Sequence, residues 1–338
     1  MRAHITPFRV AVGLVLALVA TFVILLKIPS DKYILTPAGA HPVAPLVQVK
    51  GAKTPKGSGT IDFVDVYVSK ASELDVLFPW LHPHATFVPA TAIVPKGSSD
   101  AAVNKIGLQE MASSQKTAAA VAEQALGYHS ITPTGVRVDA IARKTDAARK
   151  LKPGDVISAV DGRPTPTLTL LRLAIGALRP GDDATLVLRR GTHTRTVRVK
   201  LVPKPGNPSR AIIGIQVEQM ATVKLPVKVS IDAHGIGGPS AGLAFTLEVM
   251  QKLGRDVTHG YTVAATGQIN LDGSVSAIGG VEQKTWGVRD AGIDVFLVPV
   301  DQGNAKEAEK FAGPNLIIIP VTSLKQALRA LAHLPKLK

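Results

Sequence analysis

The sequence has no cysteine, and it also lacks several motifs that carry well-defined chemistry. Without cysteine, disulfide bonds, thiol catalysis and cysteine-ligated zinc are excluded. No Gly-Lys dipeptide occurs in it, so the phosphate-binding loop G-x-x-x-x-G-K-[ST] is missing. The metalloprotease motif H-E-x-x-H is missing too, and the nine histidines show no metal-ligating spacing. We therefore expect no ATP, no metal and no other cofactor in the chemistry of this chain.

Acidic residues are scarce in the first part of the chain but not in the last. The formal net charge is +14, from 39 Lys and Arg against 25 Asp and Glu. Residues 132–210 hold 16 basic and 6 acidic side chains, whereas residues 212–338 hold 12 and 11. A basic surface is either ordinary solvated surface or attracts anionic lipid or an acidic partner. Because the excess is so unevenly distributed, we expect no nucleic-acid partner.

An uncharged apolar run of about 17 residues extends from Val10 to Leu26, which is near the lower limit for a helix that crosses a bilayer. The following residues, LLKIPSDKY, lack the small-residue pattern of a cleavage site. Residues 1–32 are therefore predicted to form a short cytoplasmic tail and an uncleaved transmembrane signal anchor. Arg2 and Arg9 precede the run and favour a cytoplasmic N-terminus. The bulk of the chain would then be extracytoplasmic, on a single-pass anchor in the cell membrane.

Residues 33–125 are predicted to form an N-terminal extracytoplasmic α/β segment. In GTIDFVDVYVS, Phe63, Val66 and Val68 alternate with polar positions, as in a half-buried strand. Residues 71–125 favour helix for most of their length, with breaks at Pro and His around FPWLHPHATFVPA. The sequence of this segment indicates no chemistry.

Residues 126–205 follow the order strand, helix, tight turn, strand, helix and two-stranded ribbon. The pair Asp161-Gly162 is a strong turn signal, and Gly191 joins two Arg-rich strands. The stretches GVRV, LKPGDVISAVDG and GDDATLVLRRG, in this order, resemble a bacterial PDZ domain. PDZ domains bind extended peptides by adding a strand to a sheet edge. ALGYHSI is either the loop that holds a peptide carboxylate or the end of a helix, so no binding residue is assigned.

Glycines surround Ser240 in the stretch DAHGIGGPSAGLAFTLEV. In a structural interpretation, this serine caps a helix with an apolar face that includes Leu243 and Leu247. In a catalytic interpretation, the glycines admit a substrate to the backbone, and free N–H groups stabilise an oxyanion. The same letters match G-x-S-x-G, but no strand precedes them, and neither His259 nor His333 lies in a suitable loop. An α/β-hydrolase is therefore disfavoured.

A nucleophilic serine without a histidine needs another base, and a lysine with a lowered pKa can act as one. In TGQINLDGSVSAIGGVEQK, a Gly-Gly pair precedes a helix that is predicted to begin near Val281, which puts Lys284 in its first turn. The positive end of the helix dipole, and any burial, lower the pKa of a lysine there. The alternative is an exposed lysine beside Glu282.

GGPSAGLAF, followed 44 positions after its serine by the lysine of VEQK, resembles the proteolytic domain of Lon proteases over residues 212–338. With the anchor and the PDZ-like domain, the whole chain resembles the membrane-anchored PDZ-Lon proteases. The resemblance implies an α+β multidomain fold: an N-terminal transmembrane helix, a PDZ-like β domain and an α+β Lon proteolytic domain.

The same resemblance implies specific roles for five residues. Ser240 would be the nucleophile and Lys284 the general base, with Thr266 hydrogen-bonded near the dyad. The backbone around Gly237, Gly238 and Ser240 would form the oxyanion site. Two departures leave the fine control of the dyad open. Gly237-Gly238 stands where many Lon enzymes have an acidic residue, and a glutamine follows Thr-Gly where TGE is frequent.

The function implied is that of an ATP-independent serine endopeptidase for extracytoplasmic or membrane-proximal polypeptides. The PDZ domain would recruit or gate the substrate, and Lon domains commonly assemble as homo-oligomers. The alternative from a different class is a PDZ-based peptide-binding scaffold whose Lon-like domain is catalytically weak.

Overall fold

The computed structural model describes residues 7–335 of the chain. Its α-helices are α1 Pro7–Lys27, α2 Glu73–Leu77, α3 Ala90–Ile93, α4 Asp100–Ala125, α5 Ala147–Lys150, α6 Leu168–Gly176, α7 Gly242–Lys252, α8 Val281–Asp290, α9 Asn304–Phe311 and α10 Leu324–Ala332. The strands of its first half are β1 Pro29–Pro42, β2 Val47–Val49, β3 Ile61–Ser72, β4 Thr86–Pro89, β5 Ile131–Ile141, β6 Val156–Val160 and β7 Arg163–Pro164. The remaining strands are β8 Asp183–Arg190, β9 His193–Lys200, β10 Val202–Lys204, β11 Asn207–Ile212, β12 Ile215–Val223, β13 Val229–Ile231, β14 Val263–Ala265, β15 Gln268–Ile269, β16 Val275–Ser276, β17 Val295–Pro299 and β18 Ile317–Val321.

A six-stranded sheet joins the two ends of the chain, in the order β18-β17-β14-β3-β1-β4. Strands β18, β17, β14 and β3 are parallel, and β1 is antiparallel to both β3 and β4. The sequence of β17, VFLVP, is apolar throughout and buried, as is typical of a parallel strand covered on both faces. Residues 33–125, which the sequence analysis treats as a segment of their own, thus share a sheet with residues 263–321. Pairing between strands so far apart leaves no local sequence pattern.

Helices cover this sheet on both faces. Phe63 packs in a cluster with residues of α4, α7 and α10, while its neighbour Val64 packs on the opposite face with residues of α8 and α9. Alternate residues of a strand point to opposite faces, so a strand in the middle of a three-layer structure is buried at both kinds of position. The catalytic candidates lie where α7 and α8 begin, at the two faces of this sheet.

The burial of side chains changes along strand β3. Its first four residues are buried, whereas Tyr67 to Lys70 are exposed, and Val66 is only half-buried. The alternation predicted for this strand is therefore not seen, because its second half extends beyond the helices as a ribbon with β1 and β4. The helical prediction for residues 71–125 is confirmed for most of their length, and the predicted breaks around FPWLHPHATFVPA contain β4. The helices are α2, α3 and α4, and β4 pairs with β1 between α2 and α3.

A second sheet has the order β12-β5-β6-β8-β9, with β7 paired to β6. It encloses its own core, in which Val136, Ile157 and Leu186 pack with Leu171 and Ile175 of α6. The order of elements from β5 to β9 is the one predicted. β12 lies in the range 212–338 that was assigned to the proteolytic domain, but it pairs with β5 in this sheet. The boundaries at residues 126–205 and 212–338 stay predictions.

Helix α1 stands apart from both cores. Its segment Val10–Lys27 has a mean hydropathy of 2.7 with none of its residues buried, and within residues 7–335 it is the only helix long and apolar enough to cross a membrane. The core helix of a folded domain would be mostly buried, and α1 is not. A membrane anchor and a signal sequence share this composition.

Candidate active site

Ser240 lies in the loop that precedes α7, and it does not cap this helix. The N-cap position is Ala241, without any side-chain cap. The N–H of Leu243, in the first turn, donates instead to the carbonyl of Gly267 at 3.1 Å. The capping interpretation of Ser240 is therefore wrong, and its hydroxyl is free for another role.

The glycine two positions after this serine has a packing reason. A Cβ on Gly242 would lie 2.9 Å from Cγ2 and from the backbone nitrogen of Ile269, and 2.8 Å from Oγ of Ser114. Real Cβ contacts are essentially never this short. The G-x-S-x-G match thus reflects close packing of α7 against β15 and α4, rather than the strand-turn-helix of an α/β-hydrolase.

Lys284 lies in the first turn of α8, and its side chain is buried. The helix begins at Val281, as the sequence predicts, after Gly280 in a left-handed conformation with φ of 68°. Only 4% of Lys284 is exposed, so the alternative of a solvent-exposed lysine is wrong. Burial lowers the pKa of Lys284 from 10.5 to about 8, and the carboxylate of Asp65 opposes this shift in part. At this pKa a sizeable fraction of the amine is neutral near pH 8.

The lysine and the serine meet between the two helices. Nζ of Lys284 is 3.0 Å from Oγ of Ser240 and 3.4 Å from Oγ1 of Thr266. Oγ1 of Thr266 donates to the carbonyl of Ser240 at 3.3 Å, and the N–H of Gly267 donates to the same carbonyl at 2.8 Å. A hydroxyl within hydrogen-bond reach of a partly neutral amine is the arrangement that general-base activation of a nucleophile requires.

The two glycines assigned to the oxyanion site differ in the structure. The N–H of Gly238 donates to the carbonyl of Gly107 in α4 at 2.8 Å, so it is occupied. Among the hydrogen bonds of residues 7–335, the N–H groups of Gly237 and Ser240 have no acceptor. The geometry therefore favours these two N–H groups as oxyanion donors, and it gives Gly238 a structural role.

Helix α4 holds the loop before Ser240 in two places, a role that the sequence did not reveal. Gly107 accepts from the loop backbone as described, and Oγ of Ser114 donates to the carbonyl of Pro239 at 3.1 Å. A Cβ on Gly237 would lie 3.3 Å from the backbone of Gly107, so the two segments are in contact. A lone glycine inside a helical pattern, as in NKIGLQEM, was the available signal of such a close approach.

A groove of about 240 Å³ lies beside the free edge of the second sheet. The edge strand is β12, and the opposite wall is α6, which contributes Leu171, Arg172 and Ile175. Ile213 and Gly214 form the end where β11 meets β12. ALGYHSI does not line this groove, since its alanine ends α4 and the next residues form a turn that leads to β5. The groove has the free strand edge that strand addition of a peptide requires, and α6 lies opposite it.

Two cavities lie between this second sheet and the Ser240 loop. The larger, about 580 Å³, extends from Arg172 and Glu218 to the β15–β16 hairpin. The smaller, about 190 Å³, reaches Pro239, which directly precedes Ser240. Both are lined by Glu218, Gln268 and Asn270, so the two cavities adjoin between the edge strand β12 and the nucleophile loop, and we call them together the polar cleft.

Two family models match this chain, each over a different part of it. The family model of the Lon protease (S16) C-terminal proteolytic domain matches residues 209–333. The C-terminal part of the chain is therefore a Lon-type proteolytic domain. The PDZ domain model matches residues 106–201, so the chain also contains a PDZ domain. The first twenty residues of that match lie in α4, which packs against α7 of the Lon-type domain.

Individual relatives cover this C-terminal part. The Lon protease of Chloroflexus aggregans is 37% identical over 130 residues, which are 37% of this chain and 15% of that protein. The Lon protease of Desulforamulus reducens is 32% identical over 161 residues, 43% of this chain and 18% of that protein. The matches thus span less than a fifth of the relatives' length. Among solved structures, the PDZ domain of the SdrC-like protein from Listeria monocytogenes is 24% identical, with a TM-score of 0.24. The match covers 25% of this chain and 90% of that one.

Proposed function

We propose that this chain is a membrane-anchored, ATP-independent serine endopeptidase in which Ser240 is the nucleophile and Lys284 the general base. The observation that carries this proposal is the distance of 3.0 Å between Nζ and Oγ, together with a lysine pKa lowered to about 8. The neutral amine takes the hydroxyl proton as Oγ attacks the peptide carbonyl. The resulting ammonium gives this proton to the leaving amine. Water, activated by the same amine, then hydrolyses the acyl-enzyme.

Neighbouring groups support each stage of this sequence. The N–H groups of Gly237 and Ser240 are available to the oxyanion of the tetrahedral intermediate. Oγ1 of Thr266 donates its own proton to the Ser240 carbonyl, so its lone pairs face the lysine. In that position Thr266 accepts a hydrogen bond from the amine of Lys284. This bond orients the amine so that its lone pair points to Oγ of Ser240.

The PDZ domain supplies the substrate in this proposal. A polypeptide segment adds to the free edge of β12 in the groove beside α6, and the polar cleft past Glu218 guides the chain to Ser240. Helix α1 crosses the cell membrane and leaves both domains on its extracytoplasmic side, where membrane-proximal polypeptides are within reach. Assembly as a homo-oligomer stays a prediction, which sedimentation velocity of the detergent-solubilised chain would test.

The full chain in detergent, incubated with a mixed peptide library without ATP, tests the activity. We expect cleavage, read by mass spectrometry, that is lost in Ser240→Ala and in Lys284→Ala. The matched substitutions Ser209→Ala and Lys325→Ala, at exposed positions, should leave it unchanged. A serine-reactive phosphonate distinguishes the scaffold alternative. If the folded wild type binds peptides but neither cleaves them nor is modified at Ser240, the chain is a binding protein and the peptidase proposal fails.

A further inference from the structure

Large apolar side chains are exposed in the short segment that follows β3. Leu77, which ends α2, is 54% exposed, and Trp80 and Leu81 in the next turn are 70% and 52% exposed. The ring of Phe78 contacts the ring of Trp80 edge-to-face, with centroids 5.1 Å apart. We call these four residues the 77–81 surface. Exposed apolar side chains that lie together in this way are typical of a site that contacts a membrane or another molecule.

The 77–81 surface is attached to the end of the apolar helix α1. The N–H of Glu73, the first residue of α2, donates to the carbonyl of Ile28 at 2.9 Å. Oγ of Ser30 donates to the carbonyl of Ala71 at 3.0 Å, which ties the start of β1 to the end of β3. Helix α2 also packs against α1, and its five residues are only about 7 Å long. The segment that carries the exposed side chains therefore begins at the point where α1 ends.

This segment is held firmly, so its apolar side chains are kept in the outward position. Ser72 and Asp75 form a reciprocal capping box at the start of α2. Nε2 of His82 is 2.8 Å from Oδ1 of Asp75, which closes the segment from its other end. These contacts keep the segment rigid, with Trp80, Leu77 and Leu81 exposed on its surface.

We propose that the 77–81 surface inserts into the outer interface of the same bilayer that α1 crosses. Tryptophan is enriched at membrane–water interfaces, where its ring sits at the level of the headgroups, and leucine beside it reaches the acyl boundary. The proposal rests on the membrane anchoring proposed above, and it adds a second attachment. A single helix leaves a domain free to swing, whereas two attachments fix its orientation.

The second attachment would also orient the catalytic site. The ring of His84, three residues after Leu81, stacks on the ring of Trp286 at 3.5 Å. Nε2 of Gln283 donates to Oγ1 of Thr86 at 2.8 Å. Both contacts are made to α8, the helix that carries Lys284. The docked segment therefore holds the dyad at a fixed height above the membrane, where the substrates within reach are membrane-proximal chains.

The absence of cysteine permits a direct test on the full chain. Leu81→Cys and Leu173→Cys each introduce a single thiol at an exposed leucine, the second one on α6 of the PDZ domain. Each variant is spin-labelled and reconstituted into vesicles of phosphatidylcholine with a minor share of phosphatidylglycerol. Power saturation then compares the accessibility of the label to oxygen and to a water-soluble nickel chelate. We expect the label at position 81 to favour oxygen strongly, and the label at position 173 to favour the nickel chelate.

Flotation of the same samples separates this proposal from the anchoring on which it rests. If the chain does not float with the vesicles, the anchoring fails and the docking fails with it. If the chain floats but the label at position 81 is as accessible to the nickel chelate as the label at position 173, the docking alone is overturned. Protection from both reagents, with spin–spin broadening, would show that a second copy of the chain covers this surface. That result also overturns membrane docking.

The two tryptophans of the chain provide a label-free second measurement. The variant Trp286→Phe retains Trp80 as its single tryptophan, and the variant Trp80→Phe retains Trp286. Vesicles that contain brominated lipid should quench most of the Trp80 emission and much less of the Trp286 emission. Equal quenching of the two, or none of either in samples that float, contradicts the proposal.

Discussion

The carboxylate of Asp65 favours the charged form of Lys284, while burial of the lysine favours its neutral form. Burial prevails, and the pKa of the lysine falls to about 8. The balance between these two effects sets the pH at which the proposed general base becomes active. A residue of β3, Asp65, therefore affects the protonation of Lys284 on α8, although the two are far apart in the chain.

Peptidase activity should rise with pH and reach half of its plateau near pH 8, because only the neutral amine accepts the serine proton. Asp65→Asn removes the charge that stabilises the ammonium, so it should shift this midpoint to lower pH. The rate at which a serine-reactive phosphonate modifies Ser240 across a pH series measures both effects. Asp183→Asn, at an exposed position of the PDZ domain, is the control and should not move the midpoint. A profile without any rise around pH 8 contradicts the assignment of Lys284 as the base.

Lys284→Met should abolish activity and raise stability. The change in pKa from 10.5 to about 8 corresponds to roughly 3 kcal/mol by which folding disfavours the ammonium. Because the pKa is lowered on folding, this penalty is present in full below about pH 8 and disappears between pH 8 and 10.5. Urea unfolding should therefore show a gain for the methionine variant at pH 7 that shrinks as the pH rises. Lys325→Met, at an exposed position of α10, should show neither the gain nor its pH dependence.

Thr266→Val keeps the shape of the side chain and removes its hydroxyl. Loss of a hydrogen bond to a group that becomes charged costs about 1.5–3 kcal/mol, so we expect the acylation rate to fall roughly tenfold to a hundredfold. Thr266→Ser restores the hydroxyl and should recover most of the rate. If valine and serine behave alike, the hydroxyl of Thr266 does not orient Lys284.

Gly237→Ala tests the packing of the oxyanion loop against α4. Its Cβ would lie 3.3 Å from the backbone of Gly107, so the loop must shift by a few tenths of an ångström. We expect a lower kcat with little change in KM, because the displaced N–H groups act on the transition state. Gly107→Ala makes the reciprocal change in the helix with ordinary contacts of 3.5 Å or more, and it should be tolerated. Equal loss of activity in both variants would point to general damage of the fold instead.

Arg172 lines both the groove beside β12 and the cleft that leads to Ser240. Arg172→Glu should slow the cleavage of polypeptides by raising KM, because it reverses the charge that a peptide meets on this path. Modification of Ser240 by a small phosphonate should be unchanged, since the dyad is not touched. Arg179→Glu, beyond the end of α6, is the matched control. A change in phosphonate reactivity with either variant would contradict the assignment of the groove and the cleft to substrate binding.

Much of this organisation was predictable from local sequence patterns. The order of strands and helices between β5 and β9 follows from turn signals and periodicity, and these patterns depend only on neighbouring residues. The start of α8 at Val281 follows from the Gly-Gly pair before it. Local patterns also indicate Ser240 and Lys284 as candidates: glycines surround Ser240, and Lys284 lies in the first turn of a helix.

Other features could not be predicted because they depend on contacts between distant segments. The sequence of β3 does not show that half of it lies inside a three-layer structure and half in an exposed ribbon. The occupation of the Gly238 N–H by Gly107 joins residues far apart in the chain, and it removed one of the expected oxyanion donors. The groove that we propose for peptide binding lies on β12, which follows the β10–β11 ribbon and was assigned to the proteolytic domain.

The sequence by itself determined which residues we propose for the chemistry: a serine in a glycine loop and a lysine at the start of a helix, in a chain without cysteine. Local patterns of residue type and spacing are sufficient for that. Only the tertiary structure decided that Ser240 faces Lys284 at 3.0 Å instead of capping α7, and that burial lowers the pKa of the lysine. Distance, burial and the direction of a side chain are set by packing across the whole sheet, and no local pattern encodes them.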